Sequence, residues 1–225
     1  MRLAPVFLGS LARRGLATLF SLAAIVLGVA LGMAVQAVHE AALGEFGRGL
    51  RSLSGEADLQ VVGPRGGFAE DIYAVLAGRP EVAEASPVLE LEVKLAGRDE
   101  TLQLLGVDVF TLARVTPGLL PRPVGSTGRF AVLGEDSVFL SSAAQAALAT
   151  AIGEHVEFQS GTERAGFRVA GDIPGADETR RLAVMDIATA QTAFARLGRL
   201  TRIDLRLAEG VTPDAARASL QAALP

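Results

Sequence analysis

The sequence predicts an α+β protein in which one N-terminal transmembrane helix is followed by a mixed-sheet extracytoplasmic domain. Three observations support this fold class. Residues 15–38 form a run of 24 residues without a charge. After residue 56, short segments with alternating apolar residues indicate strands. Helices with capping residues lie between those strands, and short connections favour a mixed or antiparallel sheet over a doubly wound one.

The uncharged run is long enough to cross a membrane. A helix of 24 residues is about 36 Å long, and a hydrocarbon core is about 30 Å thick. Arg2, Arg13 and Arg14 precede the run without any acidic residue, which places the N-terminus in the cytoplasm. Residues 1–14 are then a cytoplasmic or interfacial segment. The alternative is a cleaved signal peptide with a cleavage site at Val35-Gln36-Ala37.

The helical pattern continues beyond the membrane segment, which predicts a stalk over residues 39–55 and an outer domain over residues 56–225. Pro and Gly residues predict a loop over 117–128. The predicted strands cover 57–62, 88–95, 101–107, 131–133, 138–140, 156–158, 167–173, 182–185 and 202–207. The predicted helices cover 68–76, a segment from Ser141 or Ser142 to Thr150, 187–197 after the cap Asp186, and a last helix from Pro213 after the cap Thr212.

Charge and composition exclude several classes of partner and chemistry. The outer part carries all 25 acidic residues but only 18 of the 21 basic ones, which argues against a nucleic acid as partner. The sequence has no cysteine, so disulfides and thiolate metal sites are impossible. Nucleotide-binding, zinc and calcium motifs are also missing. We therefore predict that this chain is no enzyme and holds no cofactor or metal.

Only weak candidates for chemistry remain. Ser141 or Ser142 with His155 and Asp136 would have to form a hydrolase triad, although no spacing singles them out. Glu90 and Glu92 share one face of a strand, and the ordinary interpretation is a solvated face. The pair Arg180-Arg181 is most simply a solvated loop.

Two glycines in the membrane segment suggest a helix partner. Gly28 and Gly32 are four residues apart, which lets a second helix approach closely, although glycine is also common in such helices by chance. Phe46 and Leu50 are the candidate stalk residues for coupling to a partner.

Several segments resemble one family when taken in order. They are the basic pair Arg13-Arg14 before a Gly- and Ala-rich span, LLGVDVF at Leu104 to Phe110, VFLSSAAQAAL at Val138 to Leu148, AVMDIATAQTAF at Ala183 to Phe194, and RIDLRLAEGV at Arg202 to Val211. Together they resemble the MacB/FtsX-like family of ABC transporter permeases. The resemblance implies a porter-like part at 56–108 and 182–225 with an inserted subdomain at 109–181.

The resemblance also implies partners and a location. Such permeases lie in the bacterial cytoplasmic (inner) membrane, dimerise with a second permease copy and bind a separate ABC ATPase subunit, whose motion passes along the stalks to the periplasmic domain. The later membrane helices of the family do not occur in this sequence, so we expect a fragment. The implied function is export, lipoprotein extraction or mechanical signalling. The alternatives are a single-pass anchored binding or sensor module, and an anchored enzyme that uses His155.

Overall fold

The computed structural model describes residues 19–36, 57–64, 66–97, 100–124, 129–176 and 179–224. The chain divides after Leu50 into two compact units. In the described residues, the first unit contains one helix and the second contains all the strands. The predicted fold class, with one apolar N-terminal helix followed by a mixed-sheet domain, is confirmed.

Helix α1 (Leu19–Gln36) lies inside the predicted membrane segment 15–38. It is long and apolar enough to span a membrane, and its 18 residues extend about 27 Å. None of its side chains is buried. An all-round apolar surface of this kind is typical of a helix that is surrounded by lipid.

Eleven strands and five further helices make up the described part of the second unit. The strands are β1 (Leu59–Val62), β2 (Phe68–Ala69), β3 (Val82–Leu95), β4 (Thr101–Val107), β5 (Arg122–Pro123), β6 (Ser137–Leu140), β7 (His155–Ser160), β8 (Glu163–Asp172), β9 (Leu182–Asp186), β10 (Arg199–Leu200) and β11 (Arg202–Leu207). The helices are α2 (Asp71–Ala77), α3 (Val109–Val115), α4 (Ser142–Leu148), α5 (Ile187–Ala193) and α6 (Pro213–Ala223). Two 3₁₀ turns cover Pro117–Leu119 and Arg129–Leu133.

The long strand β3 takes part in two arrangements. Its first half pairs with β11, which in turn pairs with β1, and all three strands are antiparallel. Its second half pairs with β4 on one edge and with β7 on the other. From there hydrogen bonds join β4 to β9, β9 to β6, β6 to β8 and β8 to β7. Strands β3, β4, β9, β6, β8 and β7 therefore form a closed ring, which we call the six-strand ring.

The ring is filled by alternate residues of its strands. Leu89, Leu91 and Val93 of β3 belong to one buried cluster with Phe158 of β7 and Phe167 of β8. Helices α4 and α5 add Ala144, Leu148 and Ala190 to the same cluster. A separate cluster lies beneath α2 and α6, on the β1–β11 layer.

A third cluster lies on the outside of the ring. Val88, Leu105 and Val107 pack there against Leu112 of α3 and Val132 of the second 3₁₀ turn. Together the clusters show why β3 alternates: its odd residues between 89 and 93 fill the ring, whereas its even residues face outward.

Most local predictions are confirmed within a few residues. The pairing of β3 with β4 runs from Val88 and Val107 to Lys94 and Thr101, as the alternation predicts. Asp186 caps α5 through its carboxylate and the amides of Ala188 and Thr189, at 3.0 and 3.2 Å.

Three local predictions are wrong. The loop predicted over 117–128 contains a 3₁₀ turn and the short strand β5, which pairs with β8. The strand predicted over 131–133 is a 3₁₀ turn, closed by a 3.1 Å hydrogen bond from the Gly134 amide to the Ala131 carbonyl. The next strand, β6, already lies between β8 and β9, so this segment has no open edge to join. The helix predicted over 187–197 ends at Ala193. The division of the outer domain into a porter-like part and an insert stays a prediction.

Candidate functional site

The two predicted packing glycines lie on α1. Gly28 and Gly32 are four residues apart and therefore on the same face of the helix. A Cβ atom added to either glycine would meet nothing within 4 Å. The other predicted site residues, Arg13, Arg14, Phe46 and Leu50, lie outside the described residues.

A polar groove lies on the outer face of the second unit, where β3 and β4 run side by side. Its volume is about 560 Å³. The side chains that line it are mainly polar or charged: Glu90, Glu92, Thr101, Gln103, Arg180 and Arg181. We call this site the β3–β4 groove.

A chain of polar contacts runs from the groove into the domain. Arg180 donates from Nη2 to Oε1 of Gln103 at 2.9 Å, and the Gln103 amide donates to the Glu90 carboxylate. Glu90 accepts a 2.7 Å hydrogen bond from Nη1 of Arg202. Arg202 also contacts the carboxylate of Asp204, with 2.8 Å between Nε and Oδ1. Starting from the buried end, each group in this series therefore orients its neighbour that lies closer to the surface.

Asp204 is the buried end of this series. Its side chain is only 1% exposed. Burial raises the pKa of the Asp204 carboxyl, and the nearby Arg202 guanidinium opposes that shift. Desolvation has the larger effect here because it acts on a group without contact to water. Arg202 is thus held between one buried and one half-buried carboxylate.

The backbone of Arg180 is fixed as well. Ser141 donates from Oγ to the Arg180 carbonyl at 2.7 Å. The same oxygen accepts from the amides of Ala144 and Leu182, at 3.2 and 3.0 Å. Ser141 therefore caps α4 and ties it to the start of β9, and its hydroxyl is committed to structural contacts. This geometry argues against Ser141 as the nucleophile of a triad with His155.

The remaining weak candidates have ordinary surroundings. Glu92, Arg180, Arg181 and His155 are exposed, as expected for solvated positions. Glu90 differs from the expectation, because it is half-buried and ion-paired with Arg202. Within the described ranges, no group of three or more acidic, histidine or cysteine side chains could hold a metal ion.

Sequence reasoning missed Gln103, Arg202 and Asp204. In the alternating strand β11, Arg202 and Asp204 share the face opposite to Ile203 and Leu205. Residues two positions apart on one strand are on the same face and about 7 Å apart, so opposite charges at this spacing can form an ion pair. The contact with Glu90 could not be read in this way, because it joins residues 112 positions apart.

A known protein family matches this chain over most of its length. A family model described as the MacB-like periplasmic core domain matches residues 18–223. Among the curated proteins, none matches this sequence.

The solved structures that are similar to this chain include two domains of ABC-type transporters. The extracellular domain of the noncanonic ABC-type transporter YknZ from Gram-positive bacteria has 13% identity and a TM-score of 0.47, with 69% of this chain and 80% of that chain covered. The periplasmic region of MacB from Actinobacillus actinomycetemcomitans has 16% identity and a TM-score of 0.47, with 71% and 72% covered.

Proposed function

The chain belongs to the MacB-like periplasmic core domain family of ABC-type transporter permeases, and we propose that it acts as the first membrane helix and outer domain of such a permease. The family that the sequence segments resemble is thereby confirmed. In the proposed role, a separate ABC ATPase hydrolyses ATP in the cytoplasm. The permease uses the resulting motion for export, for lipoprotein extraction or for mechanical signalling.

One observation carries the proposal: the family match includes both α1 and the outer domain. It begins at residue 18, just before α1, and ends at residue 223, the last residue of α6. A membrane helix and an outer domain that belong to one family unit fit a protein in which the two work together. A soluble domain with an unrelated signal sequence would not need this continuity.

The direction of insertion follows from charge. Arg13 and Arg14 precede α1, and flanking basic residues tend to stay in the cytoplasm. We infer that the N-terminus is cytoplasmic and that the outer domain lies in the periplasm, beyond the inner membrane. Residues 39–55 then form the stalk, with Phe46 and Leu50 in contact with a partner.

We propose that a second permease copy packs on the face of α1 that carries Gly28 and Gly32. Two glycines four residues apart in a membrane helix let another helix approach closely. Leucine at both positions would fill that face, and we expect it to weaken association of two copies in the membrane. Alanine at both positions is the matched control, because a small side chain preserves close approach.

A topology and partner experiment tests the proposed role. A reporter enzyme that is active only in the periplasm is fused after Leu224, and the product of the complete reading frame is purified in parallel. We expect an active reporter and a co-purifying ATPase. An inactive reporter would refute the topology, whereas an active reporter without an ATPase would refute the permease role.

The β3–β4 groove favours a second candidate function. A fixed polar groove in the outer domain is also what a single-pass anchored binding or sensor module needs. The reading frame distinguishes the two candidates: the permease role requires further apolar spans and a neighbouring ATPase gene. A reading frame that stops after the outer domain would favour the binding module.

A further inference from the structure

Charges of opposite sign lie on the two sides of the β3–β4 groove. Glu90 and Glu92 lie on β3, and Arg180 precedes β9, which pairs with the other edge of β4. The neutral residues Thr101 and Gln103 of β4 lie between them. The groove therefore runs from an acidic side to a basic side across three neighbouring chain segments.

The basic side is held in a fixed position. Gln103 binds the Arg180 guanidinium at 2.9 Å, and Ser141 binds the Arg180 carbonyl at 2.7 Å. The Gln103 contact uses one of the five N–H donors that a guanidinium has. An arginine that is fixed in this way loses little conformational entropy when it binds an anion. This geometry suits recognition of a carboxylate.

The acidic side has one carboxylate that remains open. Glu90 is ion-paired with Arg202, at 2.7 Å between Oε2 and Nη1. Glu92 is exposed, and in the described part of the chain its carboxylate has no ion-pair partner. Glu92 is thus the group that a cationic ligand would meet.

The distance between the two sides selects the kind of ligand. Glu92 pairs with Gln103 across β3 and β4, and Gln103 pairs with Leu182, two residues after Arg180. Neighbouring strands are about 4.8 Å apart, and an offset of two residues along a strand adds about 7 Å at right angles to that, so the backbones of Glu92 and Arg180 are about 12 Å apart. Residues two to four positions apart in an extended peptide are separated by about 7 to 14 Å. An extended peptide can therefore reach both sides at once.

We propose that the β3–β4 groove binds an extended peptide segment that carries a basic and an acidic residue two to four positions apart. The basic residue contacts Glu92, and the acidic residue contacts Arg180. A zwitterionic lipid headgroup offers the same two charges, but they are neighbours within one small group and do not span the groove. Binding at the groove needs no ATPase, so its failure would not affect the test of the permease role.

Fluorescence anisotropy with a small peptide panel tests this site. The full chain in detergent micelles is titrated into labelled, end-blocked glycine peptides that contain one lysine and one glutamate. The two residues are adjacent in one peptide and three positions apart in another, and a third peptide contains two serines in their place. We expect the three-position peptide to bind more tightly than the other two.

Substitutions in the β3–β4 groove test whether the peptide binds there. Arg180→Ala and Glu92→Gln should each weaken binding of the three-position peptide about fivefold, as expected for one exposed ion pair. Arg196→Ala and Glu209→Gln change exposed residues of the same types after α5 and before α6, and should leave binding unchanged. Thermal unfolding of each variant confirms that the domain remains folded.

Three results would overturn the assignment. Equal binding across the peptide panel, including an absence of binding to every peptide, would exclude recognition of paired charges. A loss of binding in the control variants as large as in Arg180→Ala would place the contact elsewhere. Binding to phosphatidylethanolamine vesicles that Arg180→Ala abolishes, without peptide binding, would assign the groove to a lipid headgroup.

Discussion

Leucines of α1 and leucines of the six-strand ring have opposite surroundings. Leu27 of α1 is 75% exposed, whereas Leu104 of β4 is completely buried in the ring. The chain around Leu27 has no charged residue for many positions, whereas around Leu104 polar and apolar residues alternate. The difference shows that α1 requires an apolar environment from outside the chain, whereas the ring forms its own.

The largest expected effect concerns the ring interior. Phe158 is fully buried, and its ring lies 6.1 Å from that of Phe167, centroid to centroid. Phe158→Ala should lower the free energy of unfolding of the outer domain by about 3 to 5 kcal/mol, because it leaves a cavity that the closed ring cannot fill. Chemical unfolding of the full chain in detergent micelles measures this loss. A loss below about 1 kcal/mol would show that the ring is not tightly packed.

A charge in α1 should impair membrane insertion instead. Leu27→Arg places a charge near the middle of the helix and should cost about 3 kcal/mol on insertion. Leu197→Arg is the matched control, because Leu197 is 71% exposed but lies in the outer domain. The inserted fraction in isolated membranes measures the difference. Equal insertion of the two variants would contradict a membrane role for α1.

Replacing a glycine by alanine should affect the stability of the outer domain at Gly106 but not at Gly28. A Cβ atom at Gly106 of β4 would lie 2.6 Å from the Cβ of Ala190 in α5, which is too close. Gly106→Ala should therefore destabilise the outer domain by about 1 to 3 kcal/mol through overpacking. Gly28→Ala should leave that stability unchanged, since Gly28 has open space around it. Thermal unfolding compares the two variants, and similar melting temperatures would refute the packing of α5 on β4.

The smallest effect is a dependence on pH. Burial raises the pKa of Asp204 from an ordinary value of 3.8, so the folded state binds this proton more tightly than the unfolded state. The stability that Asp204 contributes is therefore present below that value and falls as the pH rises through the raised pKa. Asp204→Asn removes this dependence.

Urea unfolding at several pH values, from acidic to neutral, measures the difference in stability between the wild-type protein and Asp204→Asn. We expect the wild-type protein to lose stability relative to the variant as the pH rises. A constant difference would show that Arg202 cancels the desolvation of Asp204, and a difference of opposite sign would show that Arg202 outweighs it.

Patterns that repeat within a few residues could be predicted from the sequence. The apolar run predicted α1, the alternation in β3 and β4 predicted their pairing, and Asp186 predicted the start of α5. The first half of β3 was missed because its pairing with β11 shifts register between Arg206 and Leu207, which disturbs the alternation. Helix α3 was missed as well, although the Asp108 carboxylate caps it by accepting a 3.0 Å hydrogen bond from the Phe110 amide.

The groove depends on contacts that local patterns do not encode. Arg180 meets Gln103 across 77 positions, and Ser141 meets Arg180 across 39. A sequence shows that these side chains are polar, but the closure of the ring decides which of them meet. The sequence therefore predicts that Glu92 and Arg180 are solvated, but not that they line the same groove.

The most direct test of the permease role asks whether ATP moves the outer domain. The chain contains no cysteine, so Arg196→Cys provides a unique spin-label site in this domain. The distance between labels on two copies is measured in the complete permease bound to its ATPase, with and without ATP. We predict a nucleotide-dependent shift in the distance distribution. Identical distributions during active ATP hydrolysis would contradict coupling between the ATPase and the outer domain.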